Sequence, residues 1–200
     1  MIRLGLLGGT FDPPHYGHLL AAQEALWQLD LERVLFLPAR QNPLKRDEPT
    51  LDAETRCAMV ACAIADDPRF ELSRLELDRP GPSFTVDLLH AVQAPERELF
   101  FLAGADVLAE LPRWHAPLEV LALATLVVAN RPGAPEPDLD QLERRLPGAA
   151  RRVRLLDMPG VDISSRDLRA RVARGRPIRY LTPPAVERFI AERRLYASGS

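Results

Sequence analysis

The chain has 200 residues, 46% hydrophobic and 27% charged, with a formal net charge of -2. These values fit one soluble globular domain with a substantial core. The near-neutral balance supplies no global field for nucleic acid or an anionic membrane, and no apolar run is long enough to span a bilayer.

Met1-Ile2-Arg3-Leu4 runs straight into an apolar stretch, an arrangement that leaves no room for a signal peptide. Short apolar runs suited to buried strands then fall at 2–7, 33–37, 70–77, 98–103, 125–129 and 152–156. Helical stretches lie between them at 16–29, 53–65, 84–92, 107–111 with 118–123, and 139–146. This alternation predicts an α/β, Rossmann-like open parallel sheet with helices on both faces. Ligands of such sheets sit beyond the strand carboxyl ends, where the strand order reverses.

From Ser164 onward there is no further strand pattern, and helical stretches at 165–173 and 185–194 predict a C-terminal helical segment. The organisation expected is a single domain over 1–200, with an α/β core at 1–160 and the helical segment at 161–197. Apolar positions on the last helices fit a homo-oligomer contact or internal packing equally well. Cys57 and Cys62 share one apolar stretch, are poorly spaced to pair and lack metal-ligand spacing, so a reduced cytoplasmic protein is expected. The loop 40–51 is long and polar, which suits a substrate-covering segment. It carries Lys45, the sole lysine among 26 basic side chains, where a compact ammonium serves a function or survives by chance.

The segment Gly8-Gly9-Thr10-Phe11-Asp12-Pro13-Pro14-His15-Tyr16-Gly17-His18 follows the first predicted strand. Gly8-Gly9 ends the strand with a turn that lets backbone approach a ligand closely. Asp12 followed by prolines reads as a helix start, with Asp12 as the cap. His15 and His18, three residues apart, share the first turn of that helix. Two imidazoles beside free backbone N–H groups form a site for polyphosphate. The glycines do not match the dinucleotide fingerprint, and no Gly-Lys-Ser/Thr follows them. Zinc ligation lacks a third suitable residue nearby. A second signal, Ile163-Ser164-Ser165-Arg166-Asp167-Leu168-Arg169, reads as a capped helix start whose N–H groups, hydroxyls and Arg169 can hold phosphate oxygens. An ordinary cap with a solvated arginine has the same local pattern.

Together, Gly-Gly-Thr-Phe-Asp-Pro-x-His-x-Gly-His and the later Ile-Ser-Ser-x-x-x-Arg resemble the nucleotidylyltransferase superfamily. Further segments resemble the bacterial nicotinate mononucleotide adenylyltransferases. They are Arg79-Pro80-Gly81-Pro82-Ser83-Phe84-Thr85, Gly104-Ala105-Asp106 followed by Trp114, Pro43-Leu44-Lys45, Arg131-Pro132-Gly133 and Leu195-Tyr196. Phe84 stands where the family usually has Tyr, Leu44 where it has His, and Arg166 where Thr is frequent.

The resemblance implies AMP transfer from ATP to nicotinate mononucleotide, giving deamido-NAD and pyrophosphate. The acceptor phosphate itself attacks the α-phosphorus, so no protein nucleophile is needed. It implies His15, His18, Lys45 and Arg169 as catalytic groups at the phosphates. Gly8, Gly9, Thr10, Phe11, Ile163, Ser164 and Ser165 would bind ATP, and Phe84, Thr85, Asp106, Trp114 and Arg131 the acceptor. Asp106 would accept from ribose hydroxyls or cap the next helix, and Trp114 would stack on the pyridine ring or fill the core. Mg²⁺ is expected to arrive on ATP, with no protein metal ligands. Nicotinamide mononucleotide or another acceptor, and a non-catalytic nucleotide sensor, are the alternatives. An RNA-binding reading lacks a basic face and an aromatic platform.

Overall fold

The first apolar run becomes the centre of a parallel sheet. In the computed structural model, which describes residues 1–40, 50–79, 83–104, 106–129 and 138–197, β1 (Ile2–Gly9) lies between β2 (Arg33–Pro38) and β4 (Arg97–Gly104). β3 (Phe70–Leu72) extends the β2 side, and β5 (Ala124–Ala129) and β6 (Val153–Leu156) extend the β4 side. The order β3-β2-β1-β4-β5-β6 is parallel throughout. Strand order therefore reverses between β1 and β4, which opens a crevice beyond their carboxyl ends.

Both faces are buried, as parallel strands require. Leu6 pairs in register with Leu35 and Phe101. Successive side chains alternate between faces. Leu4, Leu6, Leu99 and Phe101 enter one core with α4 (Thr85–Val92) and α6 (Pro117–Leu123), whereas Leu7, Phe100 and Leu102 enter the other with α1 (Tyr16–Gln28) and α2 (Ala53–Ile64). A third cluster joins Met59 of α2 to Leu168 of α8 (Ser165–Ala173) and to Val186 and Ile190 of α9 (Pro184–Glu192). The C-terminal helices thus pack on α2 rather than on the sheet. Among the described residues no helix is long and apolar enough to cross a membrane.

The expected strand at 70–77 is corrected. Only Phe70–Leu72 pairs, and the chain then turns into the short helix α3 (Leu75–Asp78). Ser73 N–H still reaches Phe36 O at 2.9 Å, but the amides of Leu77 and Asp78 turn back to Arg74 O. Arg74 is held by Glu54 of α2 at 2.6 Å. The Leu-Glu-Leu alternation fits a strand locally, yet tertiary contacts decide an edge segment. The other short helices are α5 (Val107–Glu110) and α7 (Leu139–Arg145).

Candidate active site

Asp12 does not cap α1, contrary to the sequence expectation. The helix begins at Tyr16, and extended His15 (φ -148°, ψ 170°) occupies the cap position. Between β1 and α1 the chain is tightly constrained. Phe11 adopts φ +51° while almost fully buried. A left-handed phenylalanine costs on the order of 1–3 kcal/mol and persists only where its surroundings hold it. Its ring lies 4.9 Å from the His18 ring and 5.8 Å from Phe36. Gly9 makes room for it, because a Cβ there would meet the Phe11 ring at 3.0 Å.

The two histidines stack, with ring centroids 3.7 Å apart and planes 27° from parallel. His15 N–H donates to His18 Nδ1 at 3.1 Å. An Nδ1 that accepts is unprotonated, so neutral His18 carries its proton on Nε2. Nε2 is thereby a donor, while the N–H groups of Tyr16 and His18 donate to Leu181 O at 3.2 Å and His15 O at 2.9 Å.

The second motif meets the first directly. Ser164 caps α8, its hydroxyl accepting from Asp167 N–H at 3.1 Å. Ser165 Oγ donates to Pro13 O at 2.8 Å, Arg169 Nη1 to Asp12 O at 2.7 Å, and Thr182 Oγ1 to Pro14 O at 2.7 Å. In this arrangement the one hydroxyl proton of Ser165 is committed to the loop, whereas Arg169 keeps further donors. Gly17 sits at the join. A Cβ there would stand 3.0 Å from the His15 ring and 3.8 Å from Ile163 O.

Arg56, unmarked in the sequence reading, is 2% exposed. It donates to Thr10 O and Ala39 O at 2.8 Å and to Leu51 O at 3.0 Å. Burial pushes its guanidinium down from the usual value, and the charge of Asp12 pulls it back. The carbonyls of the phosphate loop and of the two flanks of 41–49 therefore converge on one buried cation. A lone arginine in the apolar run of α2 was the available signal.

Gly8 and Gly9 also border a cleft of ≈ 340 Å³ beyond the ends of β1 and β4. Phe84, Thr85, Asp106 and Trp114 all line it. Phe84 stacks obliquely on His115 at 4.6 Å, and Trp114 meets Phe101 edge-on at 5.9 Å. Trp114 is half-buried, packed on the core and facing the cleft together. Asp106 occupies the cap position of α5 without making a capping hydrogen bond. Ser83, of the same motif as Phe84 and Thr85, lines the cleft too, as does Glu76, which was not singled out from sequence. Burial pushes the Glu76 carboxyl above the usual range, opposed by Ser83 and Arg79. The strand expected at 70–77 concealed Glu76. Lys45 and Arg131 lie outside the described residues.

The β1–α1 segment thus adjoins a mixed aromatic and polar cleft. Residues 6–171 match the cytidylyltransferase-like family model. A Roseiflexus sp. (strain RS-1) protein named "Probable nicotinate-nucleotide adenylyltransferase" is 50% identical over 196 residues, covering 96% of this chain and 97% of its own. The chain belongs to the nicotinate-nucleotide adenylyltransferase family. A second relative of that name, from Symbiobacterium thermophilum, is 47% identical over 100% of this chain and 97% of its own. Among solved structures, the Plasmodium falciparum nicotinic acid mononucleotide adenylyltransferase complexed with NaAD superposes with a TM-score of 0.80. At 18% identity, over 98% of both chains, this family member shares the fold.

Proposed function

We propose that this protein transfers AMP from ATP to nicotinate mononucleotide, giving deamido-NAD and pyrophosphate for NAD biosynthesis. The observation that carries this reading is that Gly8 and Gly9, which end β1, border the ≈ 340 Å³ cleft, while the Phe11 ring against Gly9 also packs on His18 of the histidine pair. The histidine pair suits the triphosphate and the cleft an aromatic base with its ribose.

A phosphate oxygen of the acceptor attacks the ATP α-phosphorus in line. The new O–Pα bond forms as the Pα–O bond to the β-phosphate breaks, and pyrophosphate leaves. The protein's part is alignment and charge stabilisation. Orientation of two reactants is worth roughly 7–11 kcal/mol in favourable cases. His18 Nε2–H and His15 serve as donors where charge develops on the phosphates. Thr10 and the Gly8–Gly9 backbone approach the α-phosphate or the acceptor phosphate. Arg169, with Ser164 and Ser165 at the start of α8 and Ile163 and Phe11 shaping its approach, binds the outer phosphates. Lys45 adds a point charge, and Arg131 contacts the acceptor.

Mg²⁺ enters as part of the MgATP substrate, held chiefly by phosphate oxygens. Trp114 and Phe84 sandwich or flank the pyridine ring, Thr85 contacts its carboxylate and Asp106 accepts from ribose. Free Cys57 and Cys62 suit a reducing compartment, and we place the reaction in the cytoplasm.

The test uses ATP labelled in the α- or the γ-phosphate, with Mg²⁺ and nicotinate mononucleotide. α-Label should appear in the dinucleotide and γ-label in pyrophosphate. γ-Label in an acceptor product, or α-label in none, would refute adenylyl transfer.

A further inference from the structure

The phosphate loop is held from an unexpected direction. Tyr196 Oη donates to Asp12 Oδ1 at 2.5 Å, across 184 positions of sequence. Asp12 is 1% exposed. Its other carboxylate oxygen accepts from Leu51 N–H at 3.4 Å and lies 4.0 Å from Arg169 Nη1. A buried carboxylate requires such partners, and the tyrosine supplies its shortest hydrogen bond. Burial and the adjoining Asp12 push the Tyr196 phenol up, so it stays a donor.

The tyrosine is itself placed with care. Its ring packs on the cluster of Met59, Leu168, Ile178, Val186 and Ile190, with Oη 3.9 Å from Met59 Sδ. Arg194 and Tyr196 take left-handed backbone conformations at φ +52° and +61°. Two such residues within three positions turn the chain back towards the loop, and surrounding contacts must hold them.

We propose that Tyr196 is a positioning residue for adenylyl transfer, acting through Asp12 to hold the phosphate loop where it aims His15 and His18. This rests on the function proposed above. The route is short: Asp12 adjoins Phe11, whose ring lies 4.9 Å from His18, and precedes His15 by three residues. The Asp12 main chain is fixed separately by Arg169 at 2.7 Å. Losing the tyrosine contact therefore leaves Oδ1 without its short hydrogen bond and lets the loop drift without releasing it from α8. Tyr196 is absent from the lining of the cleft, so its loss should spare acceptor binding.

The test compares Tyr196→Phe, Asp12→Asn and the double variant by kcat, both KM values and melting temperature. Tyr196→Phe keeps the ring, so its melting temperature should stay within a few degrees while kcat falls about tenfold and acceptor KM holds within about twofold. Because both act through one contact, the double variant should be no slower than the slower single variant. Unchanged kcat with a lower melting temperature would make the contact purely structural and overturn the proposal. Losses that multiply in the double variant would also overturn it, by removing Asp12 from the route. Should the unsubstituted protein transfer no AMP, the functional reading fails first. ATP affinity by calorimetry then decides the positioning role: weaker binding in Tyr196→Phe supports it, and equal binding refutes it.

Discussion

His15 and His18 lie face to face at 3.7 Å, and the backbone N–H of the first fixes the ring of the second through a 3.1 Å bond to Nδ1. The helix start therefore sets which nitrogen of His18 bears the proton. Removing this donor should cost transition-state stabilisation far more than fold. His18→Ala is expected to lower kcat by about two to three decades. Its stability cost should be about that of a lost helix cap, ~1 kcal/mol. Steady-state kinetics with thermal unfolding check both, and near-normal kcat would remove His18 from the chemistry.

Gly17 offers a test in which activity and stability move in different directions. An added Cβ would press on the His15 ring at 3.0 Å, so the imidazole must shift by a few tenths of an ångström. Alanine nevertheless favours a helix over glycine by about 1 kcal/mol. Gly17→Ala should lose about tenfold or more in kcat with a melting temperature equal to or above the parent's. A parallel loss of both would mean that the clash is relieved by unfolding the turn.

These two residues were legible because their information is local. A strand-ending Gly-Gly, a His three residues before another, and a serine cap can each be read within a few positions. Asp12 looked like a local cap for the same reason and proved otherwise, since its partners are Leu51 and Tyr196. A lone arginine in an apolar run and a closing Leu-Tyr mark Arg56 and Tyr196 in the sequence, but their partners Ala39, Thr10 and Asp12 lie 17 to 184 positions away, so no local pattern encodes what they hold. Glu76 was hidden by an alternation that fits a strand until Arg74 and its ion pair with Glu54 turn the edge. The sheet was readable because alternating elements constrain it, whereas the grip of the C-terminal segment on Pro13 and Pro14 arises only in three dimensions.

Trp114 separates binding from chemistry. It lines the cleft away from the histidine pair and meets Phe101 by its edge. Trp114→Ala should raise acceptor KM by roughly tenfold, in line with about 0.5–1.5 kcal/mol for ring pairing beyond area burial. ATP KM should be little changed, the pattern of lost ground-state binding. An unchanged acceptor KM would confine Trp114 to packing.

Glu76 supplies a pH dependence with a defined sign. Burial raises its carboxyl above the ordinary 4.5, against the pull of Ser83 and Arg79 and with the push of Asp87. The folded chain then keeps a proton that the unfolded chain has lost. This contribution to stability declines as pH rises from that ordinary value through the folded one. Glu76→Gln removes the titration. Its melting temperature relative to the parent should therefore rise as pH increases above the ordinary carboxylate range. A constant difference there would show that burial does not tax the charge.

The most direct measurement supplies MgATP with nicotinate mononucleotide and its amide at equal concentrations and separates the dinucleotide products by chromatography. Deamido-NAD in clear excess is the predicted result, placing an adenylyl donor site beside a carboxylate-selecting cleft. NAD in excess, or no dinucleotide at all, would contradict it.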